Sequence, residues 1–209
     1  MLTAQFEFDR RKTEIDDYIS HLKTLEDKSG LSIPLMNTMK SSALLMMYNI
    51  VESTMTNLVQ DLFDHLHKNN VAFDSLNDIM KTLVLTYSKK HNPEKLVQKM
   101  RGDGLSLVMA CFDRSNLFSG NLDCKKIRET LKEVGIQPQQ SYEEEALLKV
   151  KKNRNDLAHG IQSFSDCGKN YSAKDLCDIH KKTIAVLNNV IRDFTTFMNT
   201  QSYVWKKID

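Results

Sequence analysis

The sequence predicts an all-α fold, a helical bundle with a less regular middle insertion, and three observations carry the helical reading. Breakers are scarce, with 7 Gly and 3 Pro in 209 residues, too few turns for a sandwich or a barrel. Apolar residues recur at steps of three and four along most of the chain, the period of one helix face. The chain is 41% hydrophobic and 27% charged with a mean hydropathy of −0.43, which is enough apolar material for a core and excludes the disordered and low-complexity classes.

The first segment, Thr3 to Lys28, carries the stripe Phe6, Phe8, Ile15, Ile19, Leu22 and Leu25, and Ser29-Gly30 closes it. Pro34 opens a second helix, Leu35 to Lys68, because the N–H that proline lacks had no partner in a first turn. This helix is apolar on more than one face: Leu44, Leu45, Met46, Met47, Tyr48, Ile50 and Val51, then Met55, Leu58, Leu62, Phe63 and Leu66. Such a helix sits at the centre of a bundle or in a subunit interface. Glu52 interrupts the run and either faces solvent or has a partner.

Residues 69–120 are the least regular and form a candidate insertion. Leu76 to Tyr87 reads as helix, Asn92-Pro93 starts a short helix to Met100, and Gly102-Asp103-Gly104 is a turn. The apolar run Leu105 to Phe112 fits a buried strand or a helix, since a run this short has no decisive period. Asp123 to Val134 is a helix closed by Gly135. Ser141-x-x-Glu144 has the form of a capping box and opens a helix that runs to His159 and stops at Gly160. Gln162 to Tyr171 reads as a polar loop, anchored by Phe164 and Tyr171 and turning at Gly168. The last helix starts near Ser172, capped by Asp175, with the stripe Leu176, Ile179, Ile184, Leu187, Val190, Ile191, Phe194 and Phe197. No repeat or linker divides the chain, so residues 1–209 are expected to form one domain.

The net charge of +2 neither demands nor excludes a polyanionic partner. The four cysteines, Cys111, Cys124, Cys167 and Cys177, make no CxxC pair and no zinc-type spacing with histidine, and read as small hydrophobes. His65 and His67 are two apart and do not share a helical face. No metal and no cofactor is therefore expected. No run approaches the ~18–20 apolar residues of a membrane span. The N-terminus turns charged at once, so the expectation is a cytoplasmic chain without a secretory leader.

The segment that carries chemistry is Lys149-Val-Lys-Lys-Asn-Arg-Asn-Asp-Leu-Ala-His159-Gly160. Asn155 and His159 are four apart and share a face. Arg154 lies five residues before His159, about 7.5 Å back along the axis and about 140° round it. The two converge only if the arginine wraps or a second helix meets this one, which favours a site at a helix or subunit interface. Taken alone, an Arg and a His at a helix C-terminus are also simply cations near the negative end of the dipole.

Arg154-Asn-Asp-Leu-Ala-His159 resembles the Arg-x(4–6)-His motif of the HEPN superfamily. The flanks Ser163-Phe164-x-x-Cys167-Gly168-Lys169-x-Tyr171, Leu45-Met-Met-Tyr48-Asn-Ile-Val-Glu52 and Asn121-Leu-Asp-Cys-Lys-Lys-Ile are similar to a prokaryotic branch of HEPN-like nucleases found with defence genes. The resemblance spans about Lys40 to Val190. It implies a metal-independent endoribonuclease that works as a homodimer with a composite active site, in which Arg154, His159 and Asn155 are catalytic. His159, near the reference value of about 6.5, exchanges protons. Arg154 forks onto phosphate oxygens, and Asn155 orients phosphate or His159. Lys151 and Lys152, with Lys149, would hold backbone phosphates, although such a run is as often an ordinary solvated face. Tyr171 would stack a base, and Glu52 would hydrogen-bond an active-site group. The implied partners are RNA, a second copy of the chain, and an antitoxin or other defence-system protein, with no membrane. The competing reading is a non-catalytic HEPN module that binds RNA, nucleotide or a protein.

Overall fold

The structure, a computed structural model, describes residues 2–26, 32–102, 106–112, 117–118, 121–138, 142 and 144–205. Among these the chain forms α1 (Thr3–Glu26), α2 (Ile33–Lys68), α3 (Asp78–Ser88), α4 (Pro93–Gly102), α5 (Leu107–Cys111), α6 (Cys124–Val134), α7 (Glu144–Ala158), α8 (Phe164–Gly168) and α9 (Ala173–Asn199). A single 3-10 turn, Phe73–Ser75, precedes α3. The fold is all-α, and the described residues contain no strand beyond one isolated bridge between Leu76 and Val204.

The 36-residue α2 is the axis of the bundle, with Pro34 in its first turn. Leu44, Met47, Ile50, Val51, Met55, Leu58, Leu62 and Phe63 are buried around its circumference, and α1, α5, α7, α8 and α9 pack against it. The start of α1 depends on the same helix. Its first turn has no acidic residue of its own. The Ala4 N–H instead donates to the buried Asp61 carboxylate of α2 at 2.7 Å, which satisfies one of the donors a helix start leaves over. The stripe of α1 is Ala4, Phe8, Ile15, Ile19 and Leu22. Phe6, expected in it, is 54% exposed. It lies about 200° round the helix from Phe8, so only one of the two can face the core.

Capping settles the short elements. The run Leu105 to Phe112 contains the helix α5, whose first turn is held by the Ser106 side chain accepting from the Met109 N–H. The expected polar loop Gln162 to Tyr171 contains α8, with Ser163 as its N-cap. Phe164 is exposed and does not anchor it. The buried residues are Cys167 and Gly168, and the Ser41 hydroxyl of α2 donates to the Phe164 carbonyl. At Ser172 the expected cap is present in full, as a reciprocal capping box with Asp175. Ser29-Gly30, Asp103-Gly104 and Ser141 lie outside the described residues.

Gly168 is where α8 and α2 come closest. A Cβ there would stand 1.8 Å from the Asn37 carbonyl oxygen. Gly168→Ala is therefore expected to destabilise the fold by about 3 kcal/mol, the upper end of overpacking costs, read as a lower urea midpoint.

The α1–α9 contact titrates. His180 of α9 is buried, and its Nε2 meets Asp16 Oδ1 of α1 at 2.8 Å. Burial pushes the imidazole below its usual value and outweighs the Asp16 bond and charge, which pull the other way. The folded state thus holds His180 neutral while the unfolded chain binds a proton below about pH 6.5. The stability from this site is present above about pH 6.5 and falls as the pH drops toward the lowered folded value. At Asp16, burial would raise the carboxyl, but the bonds and charges of Lys12 and His180 prevail and lower it, so its share is lost only in stronger acid. The urea midpoint should decline between pH 7 and 5 and decline less in His180→Gln.

Candidate active site

The chemistry-bearing end of α7 faces α2 and the segment leading into α6. Tyr48 and Glu52 sit one turn apart on α2, so both point to the same side. The segment Asn121–Leu122–Asp123 crosses in front of them. The Leu122 N–H donates to the Tyr48 hydroxyl oxygen at 3.2 Å. Asp123 does two jobs: Oδ1 caps α6 by accepting the Lys126 N–H at 2.9 Å, and Oδ2 accepts from Lys151 Nζ of α7 at 2.8 Å. Burial alone would raise the Asp123 carboxyl, but the Lys151 ammonium and the α6 amides hold it below its usual value.

Arg154 lies in the frame these residues make. Its guanidinium carbon stands over the Tyr48 ring, 4.9 Å from the centroid, and Nη1 donates to Asn155 Oδ1 at 3.0 Å. The Asn155 amide continues the chain, with Nδ2 donating to Asn121 Oδ1 at 3.4 Å. The backbone of Asn155 serves His159, whose N–H donates to the Asn155 carbonyl at 3.0 Å. His159 follows the last residue of α7 and is exposed. Gly160 then takes φ +65, the left-handed conformation that ends a helix without a Cβ penalty. Asn155 thus bonds the guanidinium through its side chain, while its carbonyl closes the last turn of α7 on the His159 N–H.

The other expected site residues separate into two groups. Glu52 is half-buried beside Tyr48, and its charge helps raise the phenol, whose main cause of shift is burial. Lys151 is near the site but is ion-paired with Asp123. Lys152 is exposed on the same helix, while Lys149 pairs with Glu145. Tyr171 is held elsewhere. Its hydroxyl accepts from Asn153 Nδ2 at 2.8 Å, and Asn153 Oδ1 accepts from the Cys167 thiol. Asn153 lies about 200° round α7 from Asn155, so Tyr171 flanks the helix on the side away from that residue.

Sequence reasoning assigned no role to Tyr48, Asn121 or Asp123. Two signals pointed to them: the Tyr48–Glu52 spacing of four on an apolar helix, and an Asp at the N-cap of α6. A cavity of about 700 Å3 lies between α3 and α6, lined by Ile79, Leu83, Tyr87 and Phe118 among others, and it includes neither Arg154 nor His159. Lys90, Lys126 and Lys132 also line it, and Lys126 is within ion-pair reach of Glu129 and Glu133. Among the described residues no helix is long and apolar enough to cross a membrane.

A family model described as HEPN_MAE_28990-like HEPN matches residues 4–203, nearly the whole chain. The chain belongs to the HEPN family. HEPN domains are helical, are often ribonucleases, and often bind RNA and dimerise. No curated protein and no solved structure matches this HEPN chain.

Proposed function

We propose that the chain is an endoribonuclease that cleaves RNA by transesterification without a metal ion, as a toxin or anti-phage effector in the cytoplasm. In this reading a base removes the proton from the 2′-OH, the 2′ oxygen attacks the adjacent phosphorus, and the bond to the 5′ oxygen breaks. A second group returns a proton to that oxygen. The products are a 2′,3′-cyclic phosphate and a 5′-OH. His159 exchanges the proton, Arg154 neutralises the phosphorane oxygens, and Asn155 holds the guanidinium in register. The guanidinium turns inward onto Tyr48 while the imidazole stands exposed past the end of α7, so a second copy related by a two-fold axis brings its imidazole to the first chain's arginine, and water serves as the other proton carrier.

The observation that carries the reading is that the C-terminal end of α7 presents both groups, a guanidinium seated on Tyr48 and bonded to Asn155 and an exposed imidazole at His159. A second reading has an observation of its own. Lys151, expected to hold a phosphate, is paired with Asp123, and Lys149 is paired with Glu145, so two of the three expected phosphate contacts are engaged within the chain. That suits a non-catalytic module binding RNA, nucleotide or a protein, such as an antitoxin. The deciding experiment is RNA cleavage in EDTA by the purified chain, Arg154→Ala and His159→Ala, with product ends mapped. Cleavage by the wild type alone, leaving cyclic phosphate, supports the nuclease. Equal cleavage by all three removes Arg154 and His159 from the chemistry.

A further inference from the structure

We propose that Tyr48 is a positioning residue for Arg154, its ring holding the guanidinium in the orientation that meets the scissile phosphate. This rests on the ribonuclease reading above. Tyr48 is 1% exposed, and Arg154 Cζ lies 4.9 Å from its ring centroid, inside the ~6 Å reach of a cation–π contact. The ring is fixed at both ends. Its Cα is on the central helix α2, and its hydroxyl oxygen accepts the Leu122 N–H at 3.2 Å. The guanidinium meets a second surface in Asn155 Oδ1, and the Asn155 amide reaches Asn121. Ring and amide therefore bound the guanidinium on two sides, and both are tied to adjacent residues of one segment, Asn121 and Leu122.

The electrostatics keep the ring in the form that attracts a cation without fixing it as a salt bridge. Burial, helped by the charges of Glu52 and Asp123, raises the phenol above its ordinary value, so Tyr48 stays neutral at physiological pH. A neutral ring face binds the guanidinium by its quadrupole without itself forming an ion pair with it. A carboxylate in the same place would form one. Holding a long, flexible side chain before the reaction removes its ordering from the barrier, so the effect should appear in kcat more than in KM.

The test uses the full chain with Tyr48→Phe, Tyr48→Leu and Arg154→Ala on a defined oligoribonucleotide. Tyr48→Phe keeps the ring and loses the hydroxyl acceptor; Tyr48→Leu loses the ring. Tyr48→Leu is expected to lower kcat about tenfold with KM within about twofold, while Tyr48→Phe stays within about threefold of wild type. In parallel, the Arg154 Nε–H proton should show a ring-current shift in NMR spectra of wild type and Tyr48→Phe. If Tyr48→Leu does not fold, that shift decides: its presence in both proteins supports the contact, and its absence overturns the proposal. A folded Tyr48→Leu with wild-type kcat, or with a loss in KM alone, also overturns it. Loss of cleavage in Arg154→Ala but not in Tyr48→Leu removes only the role of Tyr48. Full cleavage by Arg154→Ala overturns the ribonuclease site itself, and Tyr48 with it, whatever the spectrum shows.

Discussion

His159→Ala is expected to reduce RNA cleavage by about 10²–10⁴-fold, the usual contribution of a positioned acid or base. The fold should be untouched, because the imidazole is exposed and the bond His159 makes inside the bundle is from its backbone N–H, which alanine keeps. Arg154→Ala should cost about 10²–10³-fold, by analogy with loss of one donor to a developing oxyanion. It should also lower the unfolding midpoint, since the guanidinium packs on Tyr48 and bonds Asn155. The two variants thus separate chemistry from stability: one leaves the urea transition in place and the other moves it. Arg154→Lys should not rescue, because an ammonium is a point charge and cannot fork onto two phosphate oxygens while it rests on a ring and an amide. Single-turnover cleavage and urea unfolding measured on the same preparations check all three. Wild-type rates in a folded His159→Ala would end the proton-transfer role.

The sequence announced what is local and missed what is made by packing. The ends of α9 and α2 were legible, because Ser172 with Asp175 and Pro34 act on their own turns. α5 and α8 were not, since five residues hold little more than one turn of period. Only their caps, Ser106 and Ser163, distinguished them. The small residues of α8 told more than its large one, because Gly168 sets the approach to α2 while Phe164 faces out. At the site, Arg154, Asn155 and His159 stood out because they are neighbours on α7. Tyr48 and Asp123 come from other helices and reach Arg154 and Lys151 only through tertiary packing. Tyr48 in particular read as one more core aromatic, which its burial bears out; what the pattern could not show is which side chain covers its face. Lys151 has the converse history. Its local pattern resembled a phosphate contact, and the carboxylate that engages it lies 28 residues earlier.

Two inactive variants should restore each other if the site is shared between copies. Arg154 leans inward onto α2, whereas His159 leaves the end of α7 about 140° round the helix and about 7.5 Å further along it. One chain therefore aims its guanidinium and its imidazole in different directions, and a two-fold partner can bring a second imidazole to face the first chain's arginine. Arg154→Ala chains still carry His159, and His159→Ala chains still carry Arg154. Co-refolded at equal amounts, random pairing makes half of the dimers mixed, and each mixed dimer has one site intact and one doubly broken. Cleavage should then return to about a quarter of the wild-type rate per chain, from a background at least about 10²-fold lower. A site that takes both residues from one chain has no intact copy in any of these dimers, so the mixture would stay as inactive as its parts. A chain that sediments as a monomer at the assay concentration would give the same silence for a different reason. The mixture is therefore measured beside a sedimentation run, and silence from a dimer refutes the shared site.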